Sequence, residues 1–174
     1  SRIAASMSIT GRVADRNLDA WRLEIARAGS EDWTLLAEGR ATIDGALASL
    51  DPERLQTGFY VLRLSASDVA GRIAETSALV EIASATKTGR YLRNDADFMF
   101  TIGGHTLEFA RRYDSLDTAT AGSFGYGWSL ALRDVQLETD VSATDAEAGG
   151  VFNPLRAGSR VFLTAPDGER LGFT

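Results

Sequence analysis

One histidine, no cysteine and a scatter of aspartates are what this sequence offers to chemistry. His105 follows Gly103-Gly104 in a turn, and no second histidine or serine or cysteine nucleophile motif is present from which a triad could be assembled. It reads as a structural or solvated residue. Asp95 with Asp97, and Asp114 with Asp117, are spaced by two or three, and carboxylates so spaced in loops can converge on a calcium ion. Neither pair follows the EF-hand loop pattern, and aspartates in turns ordinarily accept hydrogen bonds from their own backbone. As a glycosidase pair they are weaker still, because nothing in the spacing sets a carboxylate separation. Without cysteine there is no disulfide, no thiolate ligand and no thiol nucleophile. The expectation is a chain with no catalytic residue, no metal and no cofactor.

The run Phe124-Gly125-Tyr126-Gly127-Trp128 is the other chemically suggestive segment. Its glycines do not make a phosphate loop, since no Lys-Ser/Thr and no helix follow. At period two the three rings share one side of a strand, while Gly125 and Gly127 leave the other side bare for a close backbone approach. The expectation is that Phe124, Tyr126 and Trp128 pack inward, because large apolar rings are costly to leave wet. A carbohydrate-stacking platform is the alternative.

These residues need a frame, and composition bounds it. The 174 residues, 44% apolar and 24% charged, suit a folded chain of one large or two small domains. With 18 basic against 24 acidic side chains the net charge is −6, which excludes nucleic acid and anionic membrane surfaces as natural partners. No apolar stretch is long enough to span a bilayer. A chain that opens at Ser1 in mid-pattern, with no signal peptide, reads as an excised piece.

Alternation and turn signals predict an all-β chain: a β-sandwich over residues 1–83, a linker over 84–90 and a second β-rich module over 91–174, cut short at its end. Trp21, Leu23 and Ile25 alternate as a strand, although Leu18, Trp21 and Ile25 also fit helical spacing. Trp33, Leu35 and Ala37 predict the next strand, with Trp33 in the core. Asp51-Pro52-Glu53-Arg54-Leu55 reads as a one-turn helix capped by Asp51, opened by Pro52 and ended by Gly58. The long strand from Gly58 to Ala66 puts Tyr60, Leu62, Leu64 and Ala66 on one face. A turn at Asp68–Gly71 and a return strand to Ile82 follow. In the second module the pattern predicts strands around Phe98-Met99-Phe100 and from Thr106 to Tyr113, with a Gly103-Gly104 turn between them. It also predicts a strand carrying Leu130, Leu132, Val135 and Leu137, a small acidic loop over 139–150, and a closing hairpin around Pro166-Asp167-Gly168 whose partners lie beyond Thr174.

Tyr60, near the start of a long strand after a short helical corner, resembles the tyrosine corner of immunoglobulin-like and fibronectin type III sandwiches. The second half resembles the opening of the RHS/YD-repeat core of large bacterial secreted proteins and polymorphic toxins. That resemblance rests on Arg111-Arg112-Tyr113-Asp114-Ser115, on Phe124-Gly125-Tyr126-Gly127-Trp128-Ser129 and on Pro166-Asp167-Gly168-Glu169-Arg170 closing on Phe173. It implies a secreted or cell-surface, non-catalytic structural module that begins a β-shell enclosing or presenting a C-terminal effector. Tyr113, Asp114, Phe124, Tyr126 and Trp128 are then its structural or interaction residues, and the remainder of the same polypeptide is the partner. The alternative is a binding module for a cell-surface glycan or protein. The sequence contains no run of YD repeats and no effector segment.

Overall fold

The computed structural model describes residues 1–118, 121–131, 136–141, 155–164 and 169–174. The protein is all-β, with a single short 3-10 turn at Pro52–Arg54 among the described residues. It divides into two compact units, Ser1–Thr88 and Gly89–Thr174.

The first unit is a sandwich of a five-stranded and a two-stranded sheet. Its strands are β1 (Arg2–Ile3), β2 (Met7–Val13), β3 (Leu18–Arg27), β4 (Thr34–Gly39), β5 (Ile43–Leu50), β6 (Gly58–Asp68) and β7 (Ile73–Ile82). The larger sheet runs β1-β7-β6-β3-β4, with β1 parallel to β7, and β2 pairs with β5 to form the smaller. Between them lies one cluster around Ile3, Ile25, Leu50, Tyr60, Val80 and Ile82 and another around Val13, Trp21 and Leu23. The segment at 18–27 is a strand, not a helix, because Trp21, Leu23 and Ile25 are all buried on the face that meets the second sheet.

Trp21 is the core tryptophan of this unit. Its Nε1 donates to the Ala41 carbonyl at 3.0 Å, and its ring occupies the place a side chain on Gly39 would fill, 2.7 Å from such a Cβ. Trp33, expected in the core, instead precedes β4 and is half-buried under the Arg63 guanidinium, 3.8 Å from the ring centroid. A β-bulge explains the rest of the misreading. The register skips Leu36 between the pairs Leu23↔Ala37 and Glu24↔Leu35, so Leu36 and Ala37 turn inward and Leu35 is exposed.

Asp51 caps the short turn, its carboxylate accepting from Glu53 N at 3.0 Å, with Pro52 in the first position. The turn ends at Leu55 in extended geometry, and Gly58 opens β6 instead of closing the helix. Tyr60 then donates its hydroxyl to the Gln56 carbonyl at 3.2 Å, a bond to the backbone four residues upstream of the kind a tyrosine corner makes. Residues 84–88, patternless in sequence, are held to this unit. Ser84 donates to Thr86 O at 2.8 Å, Lys87 Nζ reaches Pro52 O at 2.9 Å, and the Thr88 hydroxyl meets the Glu53 carboxylate.

The second unit contains β8 (Leu92–Ile102), β9 (His105–Asp114), β10 (Ala121–Gly122), β11 (Gly125–Tyr126), β12 (Trp128–Leu130), β13 (Gln136–Thr139), β14 (Val161–Thr164) and β15 (Arg170–Phe173). They form three sheets, β12-β9-β8, β10-β11 and β13-β14-β15. The β8–β9 turn is Gly103-Gly104 with φ of 60° and 82°, the left-handed geometry that a two-residue hairpin of this kind needs. The hairpin β14–β15 pairs with a third strand, β13, within the chain. Residues 132–135, most of the acidic loop, and the Pro166-Asp167-Gly168 turn lie outside the described residues.

Candidate functional site

The Tyr-Asp string ends β9 and forms a latch. Its alternation places Tyr113 opposite Arg93 of β8 on one side and opposite Trp128 of β12 on the other. Asp114, only 5% exposed, receives a bidentate contact from Arg90: Nε to Oδ1 at 3.2 Å and Nη2 to Oδ2 at 2.7 Å. The same Oδ1 accepts from Leu116 N at 3.0 Å, while the Asp114 carbonyl accepts from Asp117 N at 3.0 Å, so the carboxylate also shapes the turn that ends the strand. Ser115 closes the arrangement, taking Tyr91 N on its hydroxyl at 2.8 Å and donating its own N–H to Tyr91 O at 3.0 Å.

Glycine is required where this latch meets the aromatic run. Gly127 has φ 75°, is buried, and accepts the Asp114 N–H on its carbonyl at 2.9 Å. A Cβ there would stand 2.7 Å from Tyr113 Cε2 and 3.0 Å from the Asp114 carbonyl. This positive φ also breaks the single strand expected from Phe124 to Trp128. Ala121–Gly122 and Gly125–Tyr126 fold into a minimal hairpin with Phe124 at its tip, and Trp128 starts a separate strand.

The three rings therefore do not share one inward face. Phe124 is 42% and Tyr126 64% exposed, and Trp128 alone is half-buried, tilted against Tyr113 at 5.3 Å between centroids. Tyr113 in turn lies 6.1 Å from the Tyr91 ring. Arg111, on the same face of β9, places its guanidinium 5.5 Å from the Trp128 ring and 5.7 Å from Phe124. The face continues to Phe109 and Phe98, stacked at 4.7 Å and 8°, and to Phe100, 5.9 Å from Phe98.

Of the four aspartates weighed as calcium ligands, Asp95, Asp97 and Asp114 are engaged by arginines. Arg93 Nε donates to Asp95 at 2.9 Å, and Arg111 grips both oxygens of Asp97 at 2.7 Å. The Arg111 hydrogen bonds hold the Asp97 carboxyl below its usual range, and the same contact raises the Arg111 guanidinium. Among the described residues no three His, Cys, Asp or Glu side chains gather as a metal group. His105 is exposed at the hairpin tip, opposite Ile102 in register.

Tyr113, Asp114 and Trp128 are thus brought together, whereas Phe124 and Tyr126 are at the rim. The residues to which sequence reasoning gave no role of their own are Arg90, at the end of the 84–90 linker, and Arg111, quoted as the start of the Tyr-Asp string. A buried aspartate at a strand end calls for a cation nearby, but only the fold shows that Arg90, two residues before β8, supplies it.

A family model described as a domain of unknown function (DUF6531) matches residues 85–173. No curated protein and no solved structure matches the chain.

Proposed function

Because the chain belongs to the DUF6531 family through residues 85–173, and that stretch carries the RHS-like motifs, we propose that it is a non-catalytic structural module of a large exported RHS/YD-repeat-like protein. In this reading the second unit begins a β-shell, and further polypeptide of the same protein completes it. One observation carries the proposal. Among the described residues every buried apolar side chain of the core belongs to the first unit, between Ile3 and Ile82. In the second unit Tyr91, Phe98, Phe100, Ile102 and Leu107, on one face of β8 and β9 and their flank, are exposed. A sheet face this apolar, next to a latch as ordered as Arg90–Asp114, fits a surface that neighbouring strands cover.

The test compares this chain with its longer parent polypeptide by hydrogen exchange and by binding of an apolar dye. The amides of β8 and β9 are expected to be strongly protected, and dye binding lost, only in the longer protein. Equal exchange and equal dye binding in both would defeat the proposal.

A second reading, a binding module for a surface glycan or protein, draws on the exposure of Phe124 and Tyr126 beside the Arg111 guanidinium. Glycan-array binding abolished by Tyr126→Ala, with the melting temperature unchanged, would select it.

A further inference from the structure

The sandwich of the first unit is lopsided, with five strands facing two. The narrow sheet fails to cover the start of β7. Ala74, Thr76 and Ala78 register with Ala66, Leu64 and Leu62 of β6. They therefore sit on the inner face, the face from which Leu62, Leu64 and Ala66 reach the core. Yet every residue from Ile73 to Ala78 is exposed. Opposite, β2 pairs with β5 alone, so among the described residues its other edge has no strand against it. The pairing of β1 with β7 reaches only Glu81 and Ile82, and among the described residues no other strand pairs with that edge of β7 over the same stretch.

At one end of this stretch, where Arg12 and Val13 end β2, opens a cleft of about 400 Å³ lined also by Leu18 of β3, by Leu64 and Ala66 of β6 and by Ala74 and Thr76 of β7, with no β5 residue in it. That volume is within the roughly 300–1,000 Å³ of sites that hold ligands. Paired strands lie about 4.8 Å apart and stacked sheets about 10 Å apart. A strand added to the free edge of β2 would consequently lie above Ala74, Thr76 and Ala78, whose small side chains leave room for those of a guest.

We infer that this vacant lane takes an extended polypeptide segment from a partner, which hydrogen-bonds to the free edge of β2 and lays alternate uncharged side chains on Leu64, Ala66, Ala74 and Thr76. A strand edge offers N–H and C=O groups at the repeat of another backbone, which a peptide meets and a sugar or nucleotide does not. Charge fixes the guest further. Of the lining charges, two arginines, Arg12 and Arg72, stand against three carboxylates, Asp15, Asp68 and Glu75. Asp68 is held by Arg72 at 2.6 Å, and Arg12 leans towards Asp44 at 3.7 Å. The excess negative charge at the mouth is complementary to a guest strand with a basic residue at that end. This inference is independent of the shell reading of the second unit.

The test uses the full chain, isotope-labelled, and an acetylated peptide of about eight residues, a typical strand length, alternating valine and threonine with a terminal lysine. At millimolar peptide, alternate amides between Met7 and Val13 should exchange about tenfold more slowly, with shift changes confined to residues 7–13 and 73–78. The same peptide ending in glutamate should bind several-fold more weakly at low salt. Ala74→Trp places its ring in the lane from an exposed position, so it should keep the native spectrum and abolish the protection. Absence of protection in β2, or shifts on another surface, overturns the inference. Equal binding of the glutamate peptide overturns the charge assignment. Protection that grows with protein concentration in the absence of peptide overturns the choice of partner in favour of a second copy of this chain.

Discussion

Arg90→Ala is the sharpest perturbation of the latch. It leaves the Asp114 carboxylate, whose side chain is 7% exposed, without a cation that contacts both its oxygens at 2.7 and 3.2 Å. Removing one partner of a buried pair destabilises by about 3–5 kcal/mol. The Arg90 side chain is 24% exposed, so the pair is not fully desolvated, and the Leu116 amide remains on Oδ1. The lower end, about 3 kcal/mol, is therefore expected for the second unit. Asp114→Ala loses the same pair together with the acceptor for Leu116 N, adding about 1 kcal/mol. In the double variant neither charge is left stranded, so the two effects should fall short of additivity by about 2 kcal/mol. Urea unfolding followed by NMR separates the units, since Trp128 is the second unit's indole and Trp21 and Trp33 belong to the first. A shift of the Trp128 transition below about 1 kcal/mol for Arg90→Ala, or additivity in the double variant, would refute the argument that the Tyr-Asp string is anchored by this ion pair.

Gly127→Ala should destabilise the second unit by about 2 kcal/mol or more, from the left-handed backbone alone and from the overlap with Tyr113; circular dichroism melting checks it, and a neutral substitution would contradict the geometry. Trp21→Ala should lower the stability of the sandwich by about 3–5 kcal/mol, read from its urea midpoint, whereas Trp33→Ala, at a half-buried site outside the strands, should cost clearly less. Asp68 accepts from the Arg72 backbone and side chain, and Asp97 from Arg111, and both carboxyls are held below their ordinary value of 3.8. A depressed folded pKa means stabilisation that is complete above the unfolded value and disappears as pH falls through the folded one, so the loss should begin below about pH 4; Asp68→Asn should flatten the decline of melting temperature between pH 4 and pH 2, and an unchanged slope would show that the turn contributes nothing.

Strand alternation carried most of the sandwich into view. The faces of β3 and β6 follow period two, so Trp21, Leu23 and Ile25 and then Tyr60, Leu62 and Leu64 were legible as core. The β4 face was not, because one extra residue at Leu36 reverses the alternation and nothing local marks a bulge. Phe124 to Trp128 failed for a related reason. Period two assumes a continuous strand, and the positive φ of Gly125 and Gly127 breaks it twice. Glycine between aromatic residues is compatible with both outcomes, and only the approach of Tyr113 to Gly127 decides between them. Tyr113 and Asp114 could be singled out as a motif, but their partners, Trp128 across the β9–β12 pair and Arg90 just before β8, are not encoded in the string.

The parallel pairing of β1 with β7 has a mechanical consequence. Glu81 N donates to Ser1 O at 2.7 Å and Ala83 N to Ile3 O at 2.9 Å, joining the first strand of the sandwich to the last. Because the two run in the same direction, tension applied at Ser1 and at Thr88 slides one strand along the other. These bonds and the side chains of Ile3 and Ile82 then bear the load together, in shear, rather than opening one at a time as a zipper would. Resistance to such a pull is set by the height of an unfolding barrier and not by the equilibrium stability of the fold. A pull along the sandwich through its two-residue first strand therefore meets these contacts all at once.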